Sequence, residues 1–310
     1  ALSIRKKIMA LVEARLALAL HSDDDAFTDR PDGPADSTGF AFASRRTAFT
    51  ARRSADLRLI YRPMTGVVVT GGGQVELERE RQASETTSNF GGGASTDASI
   101  FDEARRTWAT YAEATVGIAR GLSTDLGIRL DDNSAFGRFV AARAGAVQAI
   151  GGTRIRASVG NAFKAPTFSE TFADTPFEVG NPALRPERAL SWDAGVEQTL
   201  LSGRAVIGLT WFDQRFRDLI QYTPAAPGEP TYDNLAAATA RGIEATLELH
   251  PVSTVSIVGQ YTGLRTRVTD AGASTSPAFE AGAALLRRPA HAGRIGARLR
   301  LPARGMISAN

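Results

Sequence analysis

The chain has 310 residues, 36 basic against 33 acidic, with 43% hydrophobic and 7% aromatic content, 30 glycines, 14 prolines and no cysteine. These proportions exclude a collagen, a disulfide-stapled small fold and a charge-driven disordered chain, and zero cysteine removes thiolate nucleophiles and cysteine zinc sites together. The net charge of +3 is mixed along the whole chain rather than gathered in a stripe, so nucleic acid has no electrostatic footprint here.

Ala1 to Leu20 begins with Arg5-Lys6-Lys7 and apolar residues, but Glu13 and Arg15 interrupt the apolar part, so it is not read as a secretory signal. The same stretch fits a 3.6-residue period through Ile4, Ile8, Leu11, Val12 and Arg15; it is assigned to a strand over 4–20 because its neighbours are strands. A connection from His21 to Gly39 follows and holds Asp23, Asp24, Asp25, Asp29, Asp32 and Asp36. Strands are expected over 40–60 and 64–80, where Val67, Val69, Val75 and Leu77 oppose Thr70, Gln74, Glu76 and Glu78. After a connection from Arg81 to Arg106, the strand 106–120 sets Trp108, Ala112, Ala114 and Val116 against Tyr111, Glu113 and Thr115.

The clearest alternation is Leu122, Thr124, Leu126, Ile128, Leu130 against Ser123, Asp125, Gly127, Arg129, Asp131, which defines the strand 122–131. Further strands are expected over 138–149, 153–162, 189–200, 204–221, 235–250, 254–268, 287–301 and from 305 onward, thirteen in all. Tight-turn compositions at Tyr61–Met64, Ala119–Gly121, Ile150–Gly152, Leu201–Gly203, Pro251–Ser253 and Pro302–Gly305 alternate without a skip with longer connections. A soluble Greek-key sandwich has no reason to sort short turns to one end and long loops to the other.

An up-and-down antiparallel meander does. The expected fold is therefore all-β, a transmembrane antiparallel up-and-down β-barrel, apolar outside and polar inside. Trp108 and Trp192 are expected in the outer aromatic girdle. Glu76, Glu78, Asp125, Arg129, Arg154, Arg156, Asp193, Glu197, Glu244, Glu248, Arg294 and Arg298 are expected to line the lumen. Thirteen strands is an odd number that leaves two open edges, so residues 1–310 are expected to be an internal fragment of a larger barrel domain.

Three groups of residues carry a family resemblance. Phe163-Lys164-Ala165-Pro166 is followed by Asn181-Pro182-Ala183-Leu184-Arg185-Pro186-Glu187, with Trp192 shortly after. Phe216-Arg217-Asp218-Leu219-Ile220, then Tyr232-x-Asn234 with Gly242-Ile243-Glu244, then Arg287-Arg288-Pro289 with His291 complete the set. Together, from Tyr111 onward, the chain resembles the barrel of TonB-dependent outer-membrane receptors, most closely the cobalamin and siderophore branch. The resemblance implies a 22-stranded barrel in the Gram-negative outer membrane, of which about thirteen strands lie here and the plug does not. It implies energy-coupled import of cobalamin or a ferric siderophore by a monomer, with TonB engaged through the missing N-terminal plug region. Haem receptors of the family carry a histidine between the two boxes; no histidine lies between Pro166 and Asn181, so haem is not expected.

Such a machine needs recognition rather than covalent chemistry. Ligand contact is expected from the external loops, with Phe163, Lys164, Pro166, Thr167, Phe168, Asn181, Tyr222 and Tyr232 as candidates, while Pro166, Pro182 and Pro186 shape the loop by fixing φ. No cofactor is expected apart from calcium, for which Asp23, Asp24, Asp25 and Asp29 supply hard oxygen ligands without EF-hand spacing. An enzyme is not expected, because His21, His250 and His291 form no metalloprotease pattern and no nucleophile elbow or phosphate loop is present. Gly71–Gly73 and Gly91–Gly93 read as a strand kink and a flexible loop. A passive porin or adhesin barrel shares the loop parity and stands as the alternative.

Overall fold

A computed structural model of the chain describes residues 1–30, 40–223, 226, 228–272, 280–301 and 305–309. The strands are β1 (Leu2–Met9), β2 (Val12–Asp29), β3 (Phe40–Met64), β4 (Val67–Phe90), β5 (Ala94–Ala119), β6 (Leu122–Asn133), β7 (Gly137–Ile150) and β8 (Thr153–Lys164). A short helix α1 (Phe168–Phe172) and a two-residue hairpin of β9 (Asp174–Thr175) and β10 (Glu178–Val179) occupy the long connection that follows. Then come β11 (Glu187–Leu200), β12 (Ala205–Tyr222), β13 (Tyr232–Leu249), β14 (Val255–Asp270), β15 (His291–Arg300) and β16 (Met306–Ala309).

Every strand except β9 and β10 joins one 14-stranded antiparallel sheet in which each strand pairs with its neighbours along the chain. Among the described residues the sheet ends at β1 and β16 and does not close on itself. The short connections fall at one end, where positive φ sits on Gly66, Arg120 with Gly121, Gly151, and Leu201 to Gly203. At the other end lie the three-residue turns 91–93 and 134–136 and the longer connections between β8 and β11, β12 and β13, and β14 and β15.

Three expectations about element bounds need correction. The strand expected over 4–20 is two strands joined at Ala10-Leu11, with Met9 opposite Val12, and the thirteen expected strands become fourteen. That turn carries no glycine, proline or asparagine, so composition gives it no mark. The connection expected at Arg81–Arg106 is in large part strand, and the one expected at His21–Gly39 is strand as far as Asp29: β4 and β5 pair without interruption from Val67↔Val116 to Asn89↔Ala94. Gly91 and Gly93 turn this hairpin at φ +90 and +104. These upper halves are rich in Ser, Thr, Glu and Arg, which hides them from a hydrophobicity pattern although their backbones are fully laddered. The last-turn residues 302–304, and Asp32 and Asp36, lie outside the described residues.

The two faces of the sheet divide by parity. On β6, Leu126 and Ile128 are 58% and 55% exposed on the convex face, together with Val159, Trp192, Val196, Leu209 and Trp211. Asp125, Arg156, Asp193, Thr210 and Glu244 line the concave side instead. An apolar exterior around a polar interior is the reverse of a soluble sheet and the pattern of a membrane barrel. Among the described residues no helix is long and apolar enough to cross a membrane; the crossing elements are strands.

Within the concave face the side chains pair across strands. Arg154 meets Glu197 at 3.0 Å, Ser158 donates to Asp193 at 2.5 Å, and Arg156 donates to Thr210 at 2.9 Å. Arg129 is held by Asp131 at 2.8 Å and by Gln74 at 2.9 Å. The triple glycine of β4 has a specific use here: a Cβ on Gly72 would lie 2.5 Å from the Tyr111 ring and 2.6 Å from the Leu57 carbonyl oxygen. The gap lets Tyr111 lie across the strand and donate to Asp56 at 2.8 Å.

Candidate functional site

The segment 165–186 is the most elaborate connection, and its local sequence explains its shape. Thr167 caps α1 by accepting from the Glu170 amide at 3.1 Å, while the Glu170 carboxylate accepts from the Thr167 amide at 2.7 Å. This reciprocal pair satisfies donors that a five-residue helix cannot satisfy alone. Pro166 precedes it with a fixed φ, and the chain leaves the helix through Ala173 into the β9–β10 hairpin. Gly180 then passes so close to the helix that a Cβ would sit 2.5 Å from the Phe172 nitrogen. Its own amide donates to the Ala173 carbonyl at 2.7 Å, and the Asn181 amide donates to the Glu170 carbonyl at 2.8 Å.

The family-like boxes turn out to be the bolts of this loop. Asn234 accepts from the Arg185 amide at 2.9 Å and donates to the Arg185 carbonyl at 2.9 Å and the Asp218 carbonyl at 2.7 Å. Asp218 itself sits at φ +56, between the register pairs Arg217↔Ala237 and Leu219↔Leu235. Its carboxylate takes Arg185 at 2.7 Å. The Glu187 carboxylate accepts from the Ile220 amide at 3.0 Å and pairs with Lys164 at 3.5 Å. Asn181 donates to the Tyr232 carbonyl at 2.9 Å, and the Tyr232 hydroxyl donates to Glu178 at 2.6 Å. Burial, and then the Glu178 carboxylate, push the Tyr232 hydroxyl far above the usual tyrosine range, so it remains a donor.

The free side of the loop lies over the inner face of the extended β3–β5 wall. Phe172 meets Phe101 with ring centroids 6.4 Å apart, and Phe177 meets Phe42 at 5.7 Å. Ser169 reaches Gln82 at 3.3 Å. Arg105 joins loop to wall: its guanidinium donates to the Pro166 carbonyl at 2.7 Å, covers the Phe168 ring at 4.6 Å and bonds Glu78 at 2.6 Å. Arg52 holds the other side of Glu78. Below the loop bases the concave face opens into a cavity of about 870 Å³ whose lining mixes Arg156, Asp193, Glu244 and Arg288 with Phe212 and Phe216. The recess thus combines apolar and charged lining, within the size range of small-molecule pockets.

The residues singled out from the sequence fall into different places. Phe168 is buried at 6% exposure, and Pro166 is buried beside it. Thr167 is a helix cap, and Asn181 and Tyr232 are committed to the loop's own bonds. Phe163 stacks on Phe139 at 4.7 Å. Lys164 and Tyr222 keep exposed surface, Tyr222 while donating to the Phe177 carbonyl at 2.8 Å. Arg105, Gln82 and Phe101 were not found by sequence reasoning; the uncovered inner face of so long a hairpin was the available signal. Asp23, Asp24, Asp25 and Asp29 stand on β2 rather than on a loop. Alternation sends Asp24 to the face opposite the other three. Among the described residues no group of three acidic or histidine side chains is placed to hold a metal ion.

Fold and face polarity together define the wall of an outer-membrane β-barrel. The chain belongs to the family described as TonB dependent receptor-like, beta-barrel, which matches residues 11–306. Over 125 residues, 40% of the chain and 20% of the relative, it is 31% identical to the Vitamin B12 transporter BtuB of Vibrio vulnificus (strain YJ016). Its fold is similar to that of the P. aeruginosa receptor FpvA in complex with a pyoverdine and iron, at 17% identity and a TM-score of 0.69 over 97% of this chain and 43% of that one. It is likewise similar to the ferric-catecholate import receptor Fiu from E. coli K12, at 15% identity and a TM-score of 0.67 over 97% of this chain and 51% of that one. The chain thus spans about a fifth of the curated relative and about half of the solved structures. The family is one of outer-membrane proteins of Gram-negative bacteria, receptors and transporters rather than enzymes.

Proposed function

We propose that the protein carrying this barrel wall imports a scarce, large ligand, cobalamin or a ferric siderophore, across the outer membrane by coupling to TonB. The observation that supports this reading most directly is the loop 165–186. This connection is bolted at the base by Asn234, Asp218 and Glu187 and folded over the inner face of β3–β5, which suits a receptor that holds its ligand before passage. An ordered loop above a mixed polar and apolar recess of about 870 Å³ is suited to hold a ligand before it passes inward. Contact by the exposed Lys164 and Tyr222, and by Arg288 in the recess, belongs to the same proposal.

The decisive experiment is binding and uptake by the full-length receptor with cyanocobalamin and a panel of ferric siderophores. Saturable binding to one of them, with uptake abolished by dissipating the proton gradient, is the expected result. Uptake that never saturates, together with steady ion conductance in planar bilayers, favours the passive porin instead.

A further inference from the structure

The convex face of β3–β5 carries charge that the import reading does not use. Register places Arg53, Leu77 and Arg106 side by side in one row across the three strands. The next row upward holds Ala51, Arg79 and Ala104, and the one above it Phe49, Arg81 and Asp102. Below lie Trp108 with Val75 and Ala55, then Leu57, Leu59 and Tyr61. All of these share one face by alternation, opposite the concave face that carries Arg52, Glu78 and Arg105. The arginine rows border a recess of about 520 Å³ lined by Phe49, Arg53, Leu77, Arg79, Arg106 and Ser134.

Height puts this recess at the edge of the hydrocarbon. Tyr61, next to the short-turn end, and Arg53 are eight residues apart on β3. At about 3.4 Å per residue and a tilt of about 40° that is roughly 20 Å along the membrane normal, close to the top of an apolar band about 25 Å tall. Arginine is costly at the midplane and tolerated at the boundary. The Arg106 guanidinium lies 5.8 Å over the Trp108 ring, the amphipathic residue typical of that boundary.

Three of these four arginines are also unpaired, whereas Arg79 holds Asp102 through both Nε and Nη2 at 2.6 Å. Among the described residues Arg53, Arg81 and Arg106 make no ion pair. The acidic groups facing outward around these rows are Asp102, Asp24, which stands opposite Phe49, and Asp132, which stands opposite Trp108 and pairs with Arg138 at 2.8 Å. Guanidinium forks that line one recess above an aromatic and aliphatic patch match an anion that carries acyl chains, because phosphate takes bidentate donors while the chains lie on Leu57, Leu59 and Trp108. We propose that Arg53, Arg79 and Arg106 on the outward face of β3–β5 bind the phosphate of a lipid headgroup in the outer leaflet.

The test uses the purified full-length receptor in detergent, titrated with diphosphoryl lipid A, with the same lipid dephosphorylated, and with inorganic phosphate. Binding is read by native mass spectrometry and by tryptophan fluorescence. The wild-type receptor is expected to retain diphosphoryl lipid A, with affinity at least tenfold lower in R53Q/R79Q/R106Q and unchanged in R154Q, which lies on the concave face. The single variant R53Q, expected to weaken binding about threefold, serves if the triple variant fails to show the heat-modifiable migration of a folded barrel. Equal affinity of wild type and arginine variants overturns the proposal. So does equal retention of the dephosphorylated lipid, or competition by inorganic phosphate at concentrations similar to the lipid's. Ligand import is measured separately, so loss of lipid binding with intact import leaves the functional reading standing.

Discussion

Asn234→Ala removes the bolt that fixes loop 165–186 to β13. The carboxamide makes three hydrogen bonds, at 2.9, 2.9 and 2.7 Å, the first two near solvent and the last half-buried. At about 0.5 kcal/mol for each exposed bond and about 1 kcal/mol for the half-buried one, the loop base loses roughly 2 kcal/mol. Every 1.4 kcal/mol is tenfold, so opening of the loop becomes about thirtyfold more frequent. Amide hydrogen exchange on the full-length receptor reads this at Arg185, whose amide donates to Asn234, and at Gly180 and Asn181. Exchange there is expected to rise about thirtyfold while the interior amides of β11 and β12 do not change. Asn234→Asp keeps the acceptor but sets a carboxylate oxygen against the Arg185 and Asp218 carbonyls, so it is expected to loosen the loop at least as much. Unchanged protection at Arg185, or a loss spread evenly over the wall, would refute the bolt.

Other substitutions test other joints. Gly180→Ala drives a methyl to within 2.5 Å of the Phe172 backbone, and overpacking of about 1–3 kcal/mol is expected to loosen α1 and weaken ligand binding, seen as faster proteolysis within 168–180. Arg105→Met leaves Glu78 with Arg52 alone and frees the Pro166 carbonyl. Loss of a half-buried ion pair and its hydrogen bonds is expected to cost about 3 kcal/mol of loop docking and to raise exchange at Ser169. Leu126→Arg puts a charge near the bilayer midplane and is expected to cost about 2–4 kcal/mol in urea unfolding from lipid vesicles, while Asp125→Asn on the concave face costs less than about 1 kcal/mol.

The membrane wall was legible in the sequence because lipid outside and water inside impose a period of two on β6, β11 and β13, and because Arg120-Gly121 and Gly151-Gly152 mark the short ends. The upper halves of β4 and β5 were not legible. Above the hydrocarbon both faces meet water or loop, so Glu80 to Asn89 keep backbone pairing with little alternation in hydrophobicity. The Ala10-Leu11 turn was missed for want of a turn residue. At the site, Asn181, Glu187, Asp218 and Asn234 stood out as motifs, but which groups they bond depends on loops distant in sequence meeting in space. Arg105 had no motif at all; its partners at Glu78, Pro166 and Phe168 come from three separate elements.

Since this chain contains no cysteine, single cysteines can be placed along β6 from Thr124 to Asp131 in the full-length receptor without background within it. Spin labels there, read for collision with oxygen dissolved in lipid and with a water-soluble nickel chelate, report which face meets which solvent. Oxygen is expected to dominate at positions 126, 128 and 130 and nickel at 125, 129 and 131, with a period of two. Nickel access at 126 and 128 combined with oxygen access at 125 and 129 would contradict it.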